Sequence, residues 1–290
     1  MRIVVTGTGG RLGAAVARHL RQNHRVVAYD RRAMDLRAPA QIRDHLLGLE
    51  FDAVINCAAL TSLDYAEQNP GEAREVNAEA PELMAQLCTE RGARLIHIST
   101  DYVYAGETPG LHQEDAPAGP LSIYAQSKFE GEQRVLAVDS RHLVARTAWV
   151  FGPDRPSFVD QIIASALKTP DCGAVADKFG SCSYSLDTAA HLEWILANSP
   201  AGGVLNLCNA GACSWLELGQ AALDTAAALG WKLRCPVLKP LALADMAQFV
   251  APRPVHTSMD TSRLAALSDL PVRPWREALT DYLTAYYGQV

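Results

Sequence analysis

Five short apolar runs, each followed by a stretch of helical periodicity, constrain this chain more than any other feature. Ile3–Thr6, Arg25–Tyr29, Ala53–Cys57, Leu95–Ser99 and Leu143–Thr147 read as strands buried on both faces. Helical patterns lie between them at about 11–22, 39–49, 72–91 and 121–138. This βαβα order predicts an α/β fold with a doubly wound parallel sheet, a Rossmann architecture, because parallel strands need helical crossovers that cover both faces. Right-handed crossovers then bring the loops after the strands to one edge, where ligands bind. Beyond about residue 150 the alternation loosens. Helices are expected near 156–169 and 185–198, and a strand at Val204–Leu207 is expected to return to the main sheet. A further helix starts at Cys213 or Ser214, with Glu217 at capping-box spacing from Ser214, and Trp275–Tyr287 forms a terminal helix. Residues 250–260 read as a loop. The expected division is a dinucleotide-binding part at 1–150 and a smaller substrate-binding lid at 151–290, interleaved with the sheet.

A chain of 290 residues, 49% hydrophobic, can bury a sizeable core. The net charge of -6 implies no general affinity for nucleic acid. Residues 1–45 nevertheless hold nine Arg against three Asp, which is either solvated helix surface or a positive field for an anionic cofactor. The seven Cys form no C-x-x-C and the eight His no close pair, so a reduced cytoplasmic protein without a metal site is expected. No secretory signal pattern and no apolar run of membrane-spanning length is found, so no membrane partner is expected.

Thr6-Gly-Thr-Gly-Gly-Arg-Leu-Gly13 follows the first strand and opens the first helix. Gly7, Gly10 and Gly13 fit G-x-x-G-x-x-G. Such a loop is either a tight strand-to-helix turn or a pyrophosphate cradle, in which bare backbone and a helix N-terminus meet the anion. Its place after the N-terminal strand favours the cradle, with Arg11 and Leu12 beside the glycines. The second strand ends Asp30-Arg31-Arg32. An acidic residue there suits ribose hydroxyls, and an adjacent Arg suits a 2′-phosphate. Both signals are present, so NADPH is favoured and NADH stays open; Asp35 and Leu36 are placed near the adenine. Small residues after the third strand, Ala58 and Ala59, leave room for a cofactor. Ser99-Thr100-Asp101 at the fourth strand end either caps a turn or faces the dinucleotide.

Tyr124 and Lys128 lie four apart on a predicted helix, and so on one face. This is either an exposed helix face or a catalytic pair. In the catalytic case the ammonium lowers the phenol pKa, and the phenol protonates a carbonyl oxygen as hydride arrives. Thr100 supplies a second hydroxyl to the same oxygen.

The ordered motif set resembles the extended short-chain dehydrogenase/reductases, and within them the dTDP-4-dehydrorhamnose reductase family. It spans nearly the whole chain: the glycine loop, Asn56-Cys-Ala-Ala-Leu-Thr-Ser-Leu-Asp64, Ser99-Thr-Asp-Tyr-Val-Tyr104, Tyr124-x3-Lys128, Arg146-Thr-Ala-Trp-Val-Phe-Gly152 and Arg253-Pro-x2-Thr-x-Met-Asp260. The resemblance implies NAD(P)H-dependent reduction of a nucleotide-linked 4-ketosugar. It makes Tyr124 the acid, Lys128 its partner and ribose ligand, and Thr100 the third member. Gly10, Arg11 and Leu12 are then at the pyrophosphate, and Ala58, Ala59 and Leu60 line the cofactor. Thr61, Leu63, Thr100, Asp101, Tyr102 and Trp149 face the sugar, with Arg253 towards the nucleotide end. A homodimer is one expected assembly.

The chain departs from the family pattern on the substrate side. Ser157 stands for Asn, Lys178 for Gln, Cys182 for Pro, Ser183 for Thr and Thr257 for Ser. These departures leave the exact ketosugar open. A non-catalytic nucleotide-binding subunit, and an epimerase or dehydratase, are the alternatives of other classes; the intact Thr100–Tyr124–Lys128 set argues against the first and the single carboxylate after Thr100 against the second.

Overall fold

The computed structural model describes residues 1–199 and 201–288. Strands β1 (Arg2–Thr6), β2 (Arg25–Tyr29), β3 (Ala53–Asn56), β4 (Arg94–Thr100) and β5 (Leu143–Thr147) alternate with α1 (Arg11–Leu20), α2 (Pro39–Leu47), α3 (Leu63–Gln68), α4 (Pro70–Arg74), α5 (Ala80–Glu90) and α6 (Ile123–Val138). The second half adds β6 (Val150–Phe151), α7 (Phe158–Lys168), β7 (Gly173–Val175), β8 (Phe179–Gly180), β9 (Ser183–Tyr184) and α8 (Ser185–Asn198). It continues through β10 (Gly203–Asn206), β11 (Cys213–Ser214), α9 (Trp215–Ala228), β12 (Lys239–Leu241), α10 (Ser262–Leu267) and α11 (Trp275–Tyr287).

Six strands form one parallel sheet in the order β10-β5-β4-β3-β1-β2. The fold is the doubly wound α/β class expected, with β10 returning beside β5. Alternation along each strand sorts the core into two layers. Val4, Val54, Leu95 and Val144 pack with Ile42, Leu46, Met84 and Leu87 of α2 and α5. Ile3, Val5, Ile55 and Ile96 pack on the other face with Val16 and Leu20 of α1 and Leu192 and Ile195 of α8. A third apolar cluster joins α7, α9 and α11 with the short strands of the second half.

Two expectations need correction. β2 is not buried on both faces: it is the sheet edge, and Val27 is 38% exposed. Nor is 72–91 one helix. It divides into α4, a π-helical turn at Glu75–Glu79 and α5, with a separate α3 before it. The π turn turns Asn77 onto Leu60, whose N–H it accepts at 2.9 Å and whose carbonyl it donates to at 3.1 Å. Gly131 of α6 lies so close behind that a Cβ there would sit 2.1 Å from the Asn77 carbonyl oxygen. The capping box of Ser214 and Glu217 opens α9 as its spacing predicts. The seven cysteines are all free thiols.

Candidate active site

The glycine loop is a backbone cradle. Gly7 has φ +69°, and a Cβ there would stand 2.6 Å from the Ala58 nitrogen. A Cβ on Gly13 would stand 2.4 Å from the Gly7 carbonyl oxygen, so this glycine seats α1 against the loop itself. Gly10 is the helix N-cap and offers no side-chain cap. The first N–H groups of α1 are therefore left for a ligand. The Arg11 guanidinium points away from that role. Its Nε donates to the Arg155 carbonyl at 2.9 Å, its Nη1 to the Val150 carbonyl at 2.9 Å and its Nη2 to the Pro156 carbonyl.

The loop opens into a cleft of about 770 Å³ along the C-terminal edge of the sheet. Of the residues expected to serve catalysis, the cofactor or the sugar, Arg253 alone does not line it, and the departures Ser157, Lys178, Cys182, Ser183 and Thr257 lie outside its lining as well. Arg253 instead pairs with Asp64 at 3.2 Å and stacks over Phe249 with its Cζ 3.6 Å from the ring centre. At the far end, Asp30 Oδ1 accepts the Arg32 and Ala33 N–H groups at 2.9 Å, closing the turn after β2. Arg31 reaches Glu72 at 3.4 Å. Asp35 is held by Arg37 at 2.5 Å, which keeps its carboxyl below the usual range.

At the other end Thr100, Tyr124 and Lys128 converge from β4 and α6. Ser122 caps α6, its Oγ accepting the Ala125 N–H at 3.2 Å, and this fixes the turn that carries Tyr124. Thr100 accepts the Tyr102 N–H at 3.2 Å and donates to Asp101 Oδ1 at 3.1 Å. Burial pushes the Tyr124 phenol up to about 12; Thr100 opposes this by hydrogen bonding, and the Asp101 charge adds to it. The expected lowering by Lys128 is therefore not what governs Tyr124 here. The Lys128 ammonium nitrogen is turned to His97 Nε2 at 3.0 Å and the Ile98 carbonyl at 2.7 Å. Burial brings Lys128 down to about 8 against the opposing charges of Glu132 and Cys57.

Several contacts around the site carried no readable signal. Asp101 is 2% exposed, and burial pushes it up to about 6 against Lys178, Thr257 and Thr100. Thr257 donates to its Oδ2 at 2.5 Å from a loop 156 residues away. Lys178 is fully buried under Tyr102, its Nζ 4.6 Å from that ring and 5.9 Å from those of Trp149 and Trp215. Trp149 has φ +36°, an uncommon backbone for a bulky residue, and its buried indole N–H has no partner among the described residues. Arg146 and Glu132 form a buried pair at 2.6 Å beneath the site. Arg155 lines the cleft over the glycine loop from the second half. None of these meetings follows from local spacing, since each joins residues far apart in sequence.

The model of the RmlD substrate binding domain family matches residues 1–287. A dTDP-4-dehydrorhamnose reductase of Mycolicibacterium smegmatis is 36% identical, covering 99% of this chain and 86% of the relative. A Streptomyces antibioticus protein named "Probable dTDP-4,6-dihydroxy-2-methyloxan-3-one 4-ketoreductase" is 33% identical, over 97% of this chain and 94% of its own. The crystal structure of a Bacillus anthracis dTDP-4-dehydrorhamnose reductase in complex with NADP superposes with a TM-score of 0.90 at 26% identity, over 98% of this chain and 99% of that one. The cleft geometry, the family model and these full-length likenesses agree: the chain belongs to the RmlD substrate binding domain family, that of the dTDP-4-dehydrorhamnose reductases.

Proposed function

We propose that this chain reduces the 4-keto group of dTDP-4-dehydrorhamnose to dTDP-rhamnose, with NADPH as hydride donor and NADH as the lesser alternative. The observation that carries the reading is the convergence of Thr100, Tyr124 and Lys128 on the cleft into which the glycine cradle opens. The cradle fits a dinucleotide, because Cβ atoms at Gly7 or Gly13 would fill it and the N-terminus of α1 lacks a side-chain cap. Gly7, Gly10, Leu12, Gly13 and the backbone of Arg11 hold the pyrophosphate. Asp30 and Arg31 take the adenosine ribose and its phosphate, Asp35 and Leu36 the adenine edge, and Ala58, Ala59 and Leu60 the middle. A bound dihydronicotinamide supplies the hydride. Tyr124, kept protonated at neutral pH by its burial, holds the proton that the reduced oxygen needs. Lys128 serves the nicotinamide ribose, and Thr100, its hydroxyl turning from Asp101 to the substrate, is the second hydroxyl at the oxygen. Thr61, Leu63, Asp101, Tyr102 and Trp149 form the sugar side, with Arg253 acting through Asp64 at its rim.

Residues 1–150 then form the dinucleotide-binding part, whose edge also carries these sugar-side residues, and 151–290 the smaller substrate-binding part, in a cytoplasmic homodimer whose assembly sedimentation would measure. The test is oxidation of NADPH and NADH by the purified protein with dTDP-4-dehydrorhamnose; no turnover with either cofactor overturns the reading. A second reading, reduction of another nucleotide-linked ketosugar, is favoured by the buried Lys178 where the family pattern has Gln. A panel of nucleotide ketosugars decides between them, the better substrate being the one with the higher kcat/KM.

A further inference from the structure

At the Asp30 end of the cleft, the second half of the chain adds a cation that the turn after β2 does not supply. The Thr8 N–H donates to the Tyr29 carbonyl at 3.1 Å, which seats the glycine turn against the end of β2. A Cβ at Gly9 would lie 3.5 Å from Asp30 Cβ and 4.0 Å from Arg155 Nη2. Asp30 and the Arg155 guanidinium therefore flank the same bare glycine, and both line the cleft. Asp30 stands where an acidic residue reads the hydroxyls of an adenosine ribose. Arg155 arrives from the loop between β6 and α7.

That loop is fastened on both sides of Arg155 without using its side chain. Asp154, at φ +83°, pairs with Arg18 of α1. Arg11 donates to the Arg155 carbonyl at 2.9 Å and to the Pro156 carbonyl. The backbone is thus pinned to α1, while the guanidinium is exposed and meets no carboxylate among the described residues. The other cations here are differently placed. Arg31 reaches Glu72 at 3.4 Å, and Glu72 is shared with Arg37 at 3.6 Å. Arg37 also holds Asp35 at 2.5 Å. Glu72 and Asp35 therefore offset Arg31 and Arg37, which leaves Arg32 and Arg155 as the uncommitted cations beside Asp30. A phosphate monoester brings about 1.5–2 negative charges at neutral pH. Arg32 alone would not balance it next to the Asp30 carboxylate, whereas Arg32 and Arg155 together come close. A guanidinium also offers two parallel N–H donors that match phosphate oxygens.

We propose that Arg155 is a specificity-determining residue that takes the 2′-phosphate of NADPH from across the glycine turn, so that the preference for NADPH over NADH is set jointly by the turn after β2 and by the second half of the chain. The proposal rests on the dinucleotide reading of the cleft and not on the identity of the ketosugar. Asp30 keeps its place at the ribose, and Arg155 offsets the repulsion between its carboxylate and the added phosphate. NADH, which presents only hydroxyls there, does not call on Arg155.

Calorimetric titration of the full-length protein tests this without any ketosugar, using two ligand pairs that each differ by one phosphate: NADPH against NADH, and adenosine 2′,5′-bisphosphate against AMP. Arg155→Gln removes the charge and keeps the backbone carbonyl that Arg11 grips. It should weaken NADPH and the bisphosphate by about 10–100-fold, the range of a charge-assisted hydrogen bond. NADH and AMP should change by less than about threefold, as for a single exposed charge. Arg155→Lys should recover part of the loss, since it restores the charge without the fork. An unchanged ratio of NADPH to NADH affinity in Arg155→Gln overturns the proposal. So does an equal loss for all four ligands, which would put the guanidinium at the 5′-phosphates instead. If the two adenosine fragments bind too weakly to titrate, the dinucleotide pair decides alone. Failure of the reductase reading would appear separately, as absent NADPH oxidation with the ketosugar while the phosphate discrimination is intact.

Discussion

Replacing Gly13 by alanine sets two effects of opposite sign against each other. Alanine is the better helix former by about 1 kcal/mol. Its Cβ, however, would fall 2.4 Å from the Gly7 carbonyl oxygen, 2.7 Å from the Gly7 carbonyl carbon and 3.0 Å from the Thr8 nitrogen. All three are backbone atoms, so no rotamer change relieves the overlap. Ordinary contact at about 3.5 Å requires the loop and α1 to separate by roughly 1 Å. α1 has little room to retreat, because Val16, Ala17 and Leu20 on its buried face are at most 2% exposed and it packs along α8. Overpacking of this kind costs about 1–3 kcal/mol, so the clash at least cancels the propensity gain and leaves a net loss of up to about 2 kcal/mol. Binding should suffer more, since a shift of about 1 Å in the cradle N–H groups is worth on the order of 100-fold. Urea unfolding measures the first effect and tryptophan quenching by NADPH the second. Gly9→Ala is the control. Its Cβ would meet nothing closer than Asp30 Cβ at 3.5 Å, and it should change stability by less than about 0.5 kcal/mol. Wild-type NADPH affinity in Gly13→Ala, or equal damage from Gly9→Ala, would refute the cradle argument.

Other outcomes follow from the site. Tyr124→Phe should lower kcat by about 10²–10⁴ while leaving NADPH affinity nearly unchanged; equal activity would remove Tyr124 from the chemistry. Asp101, at about 6 when folded against 3.8 in its ordinary state, binds its proton more tightly in the native protein. Its contribution to stability is complete below about pH 4 and is lost as pH rises through about 6. Asp101→Asn should therefore lose less stability than wild type between those values, read from urea midpoints; parallel pH profiles would contradict the raised carboxyl. Arg146→Met strands the Glu132 carboxylate, itself 2% exposed, and should cost about 3–5 kcal/mol. Adding Glu132→Leu should recover most of that loss in thermal unfolding, and a double variant as unstable as the single one would show that the pair's charge is not the reason.

The sheet was legible because its strands are short apolar runs with helices between them, a pattern that local periodicity records. The edge position of β2 was not, since Arg25–Tyr29 is as apolar as a central strand and only the sheet order exposes it. The π turn at Glu75–Glu79 was hidden for a similar reason. It depends on Asn77 meeting Leu60 and on Gly131 meeting the Asn77 backbone, and residues 54 positions apart leave no periodic trace. In the site, the residues carried by motifs came together along one cleft. The electrostatics did not follow from spacing. Four residues on a helix put Tyr124 and Lys128 on one face, yet where Nζ points was decided by His97 on a different element. Arg253 was assigned from its motif alone, and its side chain is held by Asp64 and Phe249 instead of lining the cleft.

The grip of Arg11 on the Val150, Arg155 and Pro156 carbonyls, reinforced by the Arg18–Asp154 pair, has a consequence for protein engineering. The strand pairing of β10 on β5 and the packing of α8 along α1 point the same way. A chimaera cut after residue 150 to exchange the second half with a relative would import a foreign sheet edge and a foreign cover for α1. Exchanges that spare both contacts are shorter cassettes, the 157–184 and 208–260 stretches, with α8 and β10 kept from the recipient.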